Sequence, residues 1–100
     1  MTPSFRNLRA ASEEFAAAVA WYEEQRPGLG ADFFDAVGET TARIRAYAEI
    51  GTPISPGKRT RRLLVSRFPY QVVYRLRGEE TVIVAVAHLK RRPNYWKNRT

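Results

Sequence analysis

The fold of this chain is decided by residues 70–89, YQVVYRLRGEETVIVAVAHL. Tyr70, Val72, Tyr74 and Leu76 alternate with Gln71, Val73, Arg75 and Arg77, the period-two pattern that predicts a strand. From Thr81 to Leu89 both faces are apolar, so this second strand is predicted in the interior of the sheet. Gly78 between them supplies the unusual φ of a tight turn, and the two strands are therefore predicted to form a hairpin.

Two amphipathic helices are predicted ahead of the hairpin. Ser12 is a hydroxyl N-cap followed by two carboxylates, and the first helix is predicted to run from there to about Arg26, where Pro27-Gly28 ends it. The second helix is predicted from residues 29–32 to about Glu49. The short break between the helices indicates an antiparallel helical hairpin. Apolar positions recur every three or four residues: Phe15, Val19, Tyr22, Phe33, Val37, Ile44 and Tyr47.

Two further strands complete the predicted fold. They cover Ser4–Leu8 and Arg61–Phe68, the second ending before Pro69, and residues 54–58 are predicted to form a loop. The predicted class is α+β in the order β-α-α-β-β-β, a single domain over residues 1–100. Its helical hairpin packs on a small, mainly antiparallel sheet. The predicted core contains Tyr22, Phe33, Val37, Ile44, Val72, Tyr74 and Ile83.

The charge of the chain is strongly uneven. Residues 1–56 hold five Lys/Arg against eight Asp/Glu, a net of −3, and residues 57–100 hold twelve against two, a net of +10. This asymmetry predicts one basic face that attracts an anionic partner, whereas the plainer interpretation is an Arg-rich, solvated strand exterior. The chain has no cysteine, no apolar stretch long enough for a membrane helix and no signal-peptide pattern, so a soluble, cytoplasmic protein is expected.

The segment after the last strand, residues 88–96 (HLKRRPNYW), concentrates the candidate functional residues. His88 has an imidazole suited to proton transfer near neutral pH, or it caps the strand by a hydrogen bond. It is predicted to share a face with Val82, Val84 and Val86. The three cations Lys90, Arg91 and Arg92 suit phosphates or carboxylates. Tyr95 and Trp96 suit either stacking on a partner or packing back onto the sheet, and Trp96 is assigned to packing.

Four segments resemble the ParE/RelE superfamily of bacterial type II toxin–antitoxin toxins, also called plasmid stabilisation proteins. They are Trp21-Tyr22 ahead of residues 26–33 (RPGLGADF), Arg61-Arg62 before a strand, residues 68–74 (FPYQVVY), and residues 87–96 (AHLKRRPNYW). Together they span roughly residues 12–97. The resemblance implies a growth-inhibiting toxin that a cognate antitoxin neutralises by wrapping it with an extended, often acidic segment. A toxin–antitoxin hetero-oligomer is therefore expected.

The superfamily contains two branches with different chemistry. ParE-like members inhibit DNA gyrase without nuclease activity, and RelE-like members cut mRNA on the ribosome. The arrangement of residues 68–74 and 88–96 resembles the ParE-like branch more closely. A small basic nucleic-acid-binding domain is the alternative outside the toxins.

Each branch assigns the candidate residues differently. A RelE-like nuclease would use His88, Arg62, Arg75 and Tyr95 for catalysis, with the arginines stabilising the phosphorane. A ParE-like inhibitor would use Arg61, Lys90, Arg91, Arg92 and Trp96 to bind its target or antitoxin. Convergence of His88, Arg62 and Arg75 on one hollow of phosphate size would favour the nuclease.

No cofactor, metal site or membrane partner is expected, since one histidine without clustered carboxylates does not make a usual ligand set. Removal of residues 90–100 is predicted to abolish toxicity and to leave the fold largely intact.

Overall fold

The computed structural model describes residues 3–54 and 59–100. Its elements are β1 (Ser4–Asn7), α1 (Arg9–Gln25), α2 (Leu29–Ala46), β2 (Thr52–Pro53), β3 (Thr60–Leu64), β4 (Tyr70–Arg77) and β5 (Glu80–His88). The strands form one sheet in the order β1-β5-β4-β3-β2. The pairing of β1 with β5 is parallel, and the other three pairings are antiparallel.

The α+β class and the helical hairpin on a mainly antiparallel sheet are confirmed, and the β4–β5 hairpin lies in the sheet as predicted. Three features of the other elements differ from the prediction. β2 was not predicted, α2 ends at Ala46 instead of Glu49, and β3 ends at Leu64 instead of Phe68. β3 ends early because the Val65 N–H donates to the Tyr70 carbonyl at 2.9 Å and closes a turn there. Most of the predicted loop at residues 54–58 lies outside the described residues.

The predicted N-cap of α1 is wrong. The helix begins at Arg9 with the extended residue Leu8 as its cap, and no side chain caps it. Leu8 is buried, and its N–H donates to the Ile83 carbonyl at 2.9 Å as the continuation of the β1 pairing. The chain therefore turns from strand into helix without a loop. Ser12 is an exposed residue of the first turns.

The sheet is covered on both faces, which explains why β5 is apolar on both sides. The helices cover one face, where the predicted core residues are all buried: Tyr22, Phe33, Val37, Ile44, Val72, Tyr74 and Ile83. The opposite face carries a second apolar cluster formed by Leu8, Val73, Val82, Val84, Ala85, Ala87 and Trp96. The C-terminal segment supplies Trp96, so it acts as the second covering layer of the sheet.

An irregularity in β5 changes which side chains share a face. The register shifts because Tyr74 pairs with Ile83 and Val73 pairs with Ala85, which leaves Val84 as an extra residue, the arrangement of a β-bulge. Val82 and Val84 therefore belong to the second cluster, and Val86 belongs to the core under the helices. The prediction that His88 shares a face with Val82 and Val84 is wrong, because strict alternation does not hold across a bulge.

Within the described ranges, no helix is long and apolar enough to cross a lipid bilayer.

We expect Gly51→Ala to destabilise the fold by about 1–3 kcal/mol, the usual cost of overpacking. A Cβ at Gly51 would lie 2.5 Å from the Tyr74 hydroxyl oxygen. That hydroxyl accepts the Gly51 N–H at 2.8 Å and donates to the Ala48 carbonyl at 2.8 Å, so it cannot move without losing both bonds. Chemical denaturation measures the change. Gly38→Ala is the control, because this exposed α2 position has open space around its Cβ and alanine favours helix. Equal effects of the two substitutions would contradict the prediction.

Candidate functional site at the basic end of the sheet

One end of the sheet gathers the cations that follow β5 and the loop between β3 and β4. His88 pairs with Tyr70, and the Leu89 N–H donates to the Pro69 carbonyl at 2.9 Å. These bonds hold the chain after β5 beside the β3–β4 loop. We call the surface formed by His88, Lys90, Arg91 and Arg92 the basic end.

His88 is half-buried and already has partners within the chain. Its Nδ1 accepts the Lys90 N–H at 3.0 Å, and its ring makes an edge contact with Tyr70 at a centroid distance of 5.1 Å. An acceptor at Nδ1 places the proton of the neutral imidazole on Nε2. The ring lines a cleft of about 320 Å³ together with Glu14, Trp21, Tyr70 and Arg91. Burial raises the pKa of the Tyr70 hydroxyl in this cleft, so Tyr70 stays neutral.

The three consecutive cations are exposed and unequal in their contacts. The guanidinium of Arg91 lies over the ring of Tyr95 at 4.0 Å from its centroid, a cation–π contact that fixes its direction. Across the residues that the structure describes, Lys90 and Arg92 have no ion pair. Two positive charges at this end are therefore free for a partner.

The C-terminal segment is held in place by a carboxylate of α1. The Tyr95 hydroxyl donates to Glu14 Oε2 at 2.6 Å, and the Arg99 guanidinium forms two bonds to the same carboxylate at 2.9 and 3.0 Å. Burial, with the hydrogen bond to Glu14, raises the pKa of Tyr95. The hydrogen bond to Glu14 raises the pKa of Arg99. Tyr95 is thus a protonated donor inside a structural network.

The same network completes the edge of β5. The pairing of β1 with β5 ends at Ile83. Beyond that residue, the Val84 carbonyl accepts from Arg99 at 3.0 Å, and the Val86 N–H donates to Glu14 at 3.1 Å. Side chains therefore replace a neighbouring strand where β1 has turned into α1.

Arg75 binds the other side of the C-terminal segment. Its guanidinium donates to the carbonyls of Trp96 and Lys97 at 3.4 and 2.9 Å, and also to the carbonyl of Arg99. A guanidinium that donates to three backbone carbonyls is occupied as a structural donor.

The arginine pair of β3 also contacts the chain itself. Arg61 donates to the carbonyls of Glu49 and Gly51 at 2.9 and 2.8 Å, and its Nε is buried without a partner. Arg62 donates to the side chain of Gln71 at 3.2 Å. Both residues are half-buried, so they expose less surface to a partner protein than the cations of the basic end do.

His88 does not converge with the two arginines predicted for a nuclease. Arg62 and Arg75 pair with Val73 and Val82 and therefore lie on the face of the second cluster, whereas His88 lies on the helix-covered face. Val82 and His88 are six positions apart on β5, which corresponds to about 20 Å along a strand. Tyr95 is bonded to Glu14. The structure brings His88, Lys90, Arg91 and Arg92 together and leaves Arg62 and Arg75 apart from them.

Trp96 is 5% exposed and packs in the second cluster, as its assignment to packing requires. Because so little of its side chain is exposed, Trp96 offers almost no surface to a target or antitoxin, whereas its prediction as a partner-binding residue needs such a surface. The predicted tolerance of a truncation at residue 90 also conflicts with this position, because the cut would remove Trp96 and uncover the second cluster.

Sequence reasoning missed Glu14, Arg99, Tyr70 and Arg67. In the sequence, Glu14 is only a carboxylate near a helix start. Its partner Arg99 is 85 positions away, so no local pattern indicates that the two residues form a pair. Arg67 has a left-handed backbone at φ 71°, which nothing in its sequence context indicates. Within residues 3–54 and 59–100, no group of three or more His, Cys, Asp or Glu is placed to hold a metal ion.

Comparisons with known proteins agree with this architecture. Residues 7–93 match the family model described as ParE toxin of type II toxin–antitoxin system, parDE. A chain in a solved structure, the chromosomal ParDE TA system from P. aeruginosa, is 22% identical with a TM-score of 0.76, over 86% of this chain and 95% of that chain. At that identity the likeness concerns the fold. No curated protein matches the sequence at a significant level.

Proposed function

Because this chain belongs to the ParE toxin family of type II toxin–antitoxin systems, we propose that it arrests bacterial growth by binding and inhibiting DNA gyrase. A cognate antitoxin binds and neutralises it in a hetero-oligomer. DNA gyrase and the antitoxin are both in the bacterial cytoplasm, so the toxin acts there as well. No cofactor takes part, since the activity is the binding of one protein to another.

The separation of His88 from Arg62 and Arg75 is the observation that carries this proposal. Cleavage of RNA requires a base, an acid and a charge-stabilising group within hydrogen-bond reach of one phosphate. Here the imidazole and the guanidinium of Arg75 are on opposite faces of the sheet, and Arg75 is bonded to three backbone carbonyls. Binding through an exposed surface needs no such convergence.

The basic end supplies the binding surface. Lys90 and Arg92 are exposed cations without an ion pair in the described parts of the chain, and Arg91 is directed by the ring of Tyr95. Cations of this kind attract an acidic protein surface over roughly 10 Å at moderate salt, and the attraction raises the association rate. An extended acidic antitoxin segment is attracted by the same net charge.

Induced expression in a bacterial host tests the function. The DNA damage response and bulk protein synthesis are measured side by side after induction. Arrest with filamentation and an induced damage response, while translation continues, supports inhibition of gyrase. Rapid loss of translation with cleaved mRNA would support the RelE-like nuclease instead. Binding of nucleic acid without growth arrest would support the small basic binding domain.

Charge reversal at the basic end is expected to weaken the toxin without unfolding it. The double variant Lys90→Glu/Arg92→Glu should raise the expression level needed for arrest by roughly 100-fold, since each lost charge contact contributes about 1.4 kcal/mol. Its unfolding free energy should stay within about 0.5 kcal/mol of the wild type, as for most surface changes.

Arg43→Glu is the matched control for that variant, because Arg43 is exposed in the last turn of α2 and has no ion pair among the described residues. It should stay nearly as toxic as the wild type. A double variant that arrests growth at the wild-type expression level would contradict the role of the basic end.

A further inference from the structure

Arg67 adopts a backbone conformation that arginine rarely takes. Its φ is 71°, in the left-handed region, where a side chain with a Cβ is strained and glycine is not. The other non-glycine residue at positive φ in residues 3–54 and 59–100 is Asn94, a residue type that tolerates this region well. An unfavourable conformation at an exposed position points to a use for the side chain.

The loop does not need the Arg67 side chain for its own structure. The backbone closes the turn, because the Val65 N–H donates to the Tyr70 carbonyl at 2.9 Å and the Tyr70 N–H donates to the Phe68 carbonyl at 2.8 Å. Among the described residues the Arg67 guanidinium has no hydrogen bond, ion pair or ring contact, and the residue is exposed. Glycine would therefore serve the turn better than arginine does.

The loop between β3 and β4, which carries Arg67, lies beside the segment that follows β5. The bond from Leu89 to the Pro69 carbonyl holds the loop beside the chain that carries Lys90 and Arg92. Leu64, at the end of β3, and Leu89 are both exposed, at 53% and 44%. Arg67 thus adds a cation in a loop that is bonded to the segment after β5, and Leu64 and Leu89 expose apolar surface at the ends of the neighbouring strands.

This combination fits a protein and not a nucleic acid. Exposed leucines contribute to binding when they are buried against apolar side chains, and a strand of nucleic acid offers phosphates and bases that prefer aromatic stacking. Arginine is one of the residue types enriched among those that dominate the binding energy of protein interfaces. The partner that fits is a folded protein with carboxylates beside an apolar patch.

We propose that Arg67 is a contact residue for the protein through which this toxin arrests growth, and that its guanidinium pairs with carboxylates of that protein. The inference rests on the proposed function and adds a residue outside the segment after β5. The loop with the left-handed backbone at Arg67 is bonded to the segment that carries Lys90 and Arg92, so that both contact the target together. The strain in the free toxin is retained because the contact requires it.

The substitution Arg67→Gly distinguishes the effect of residue 67 on the stability of the turn from its effect on binding the target. Because glycine relieves the backbone, its denaturation midpoint should move to a higher denaturant concentration than that of the wild type. Growth arrest should nevertheless require roughly tenfold more expression, the effect of losing one charge contact. The variant is expressed without antitoxin, so a lost antitoxin contact cannot produce the change. Arg77→Ala is the control, because it removes an exposed arginine from the opposite end of β4 and should leave arrest unchanged.

The possible results are distinct. An Arg67→Gly variant that is more stable and less toxic supports the inference. A variant that arrests growth as the wild type does overturns the inference alone, and a variant less stable than the wild type overturns the argument from strain. A wild-type chain that leaves growth unaffected overturns the proposed function and the inference together.

Discussion

Replacing Trp96 with alanine is expected to lower the free energy of unfolding by about 3–5 kcal/mol, the usual cost of deleting a buried tryptophan side chain. Trp96 is 5% exposed and packs against the apolar cluster on the sheet face that the helices do not cover. Alanine would leave a cavity there and remove the main apolar anchor of the C-terminal segment. Small domains are stable by only about 5–15 kcal/mol, so this loss brings the chain close to unfolding.

Equilibrium denaturation in urea or guanidinium measures this loss, and the other tryptophan supplies the control. Trp21 is 55% exposed on α1 and touches Tyr22 by an edge contact. We expect Trp21→Ala to change the unfolding free energy by less than about 1 kcal/mol. A Trp96→Ala variant as stable as Trp21→Ala would show that the C-terminal segment does not cover the sheet in solution.

Replacing Glu14 with glutamine is expected to cost about 2–3 kcal/mol of stability. The carboxylate accepts from Tyr95, Arg99 and the Val86 N–H, and its side chain is 18% exposed beside an arginine that is 23% exposed. Glutamine keeps the size but leaves Arg99 without its counter-charge. Breaking a fully buried pair costs about 3–5 kcal/mol, and the partial exposure of this pair lowers the figure.

Glu13→Gln is the control for the Glu14 substitution. Glu13 lies one position earlier on α1, is 68% exposed and pairs with Arg9 at 3.3 Å. An exposed pair of this kind contributes at most about 1 kcal/mol, so its loss should be small. Chemical denaturation of the two variants at neutral pH compares them directly. Similar losses would show that the network around Glu14 is solvated and adds little.

The elements that sequence could predict are those with a strong local pattern. The period-two pattern from Tyr70 to Arg77 and the helical spacing of Phe33, Val37 and Ile44 require only neighbours in sequence, and all these elements are present. The bulge at Val84 and the cap at Leu8 depend on the pairing of distant strands. Local patterns hold no information on such pairings, so those predictions were wrong.

The candidate site divides in the same way. Lys90, Arg91 and Arg92 are consecutive, so the sequence alone predicts that their charges lie close together. The contacts of Arg75 and Tyr95 depend on where the C-terminal segment lies, because each side chain bonds to a residue at least 20 positions away. The family match ends at residue 93, so the segment that contains Tyr95, Trp96 and Arg99 lies beyond it.

The parallel pairing of β1 with β5 sets the order in which the protein can be completed. Ser4 pairs with Glu80 and Asn7 pairs with Ile83, so β1 finds its partner only after all the elements between it and β5 have been made. β5 lies between β1 and β4, and no part of the sheet around it can close before it emerges. Such long-range contacts form slowly, and a chain in this state exposes apolar surface. Until β5 is in place, the newly made chain therefore exposes apolar side chains of the core and is prone to aggregation.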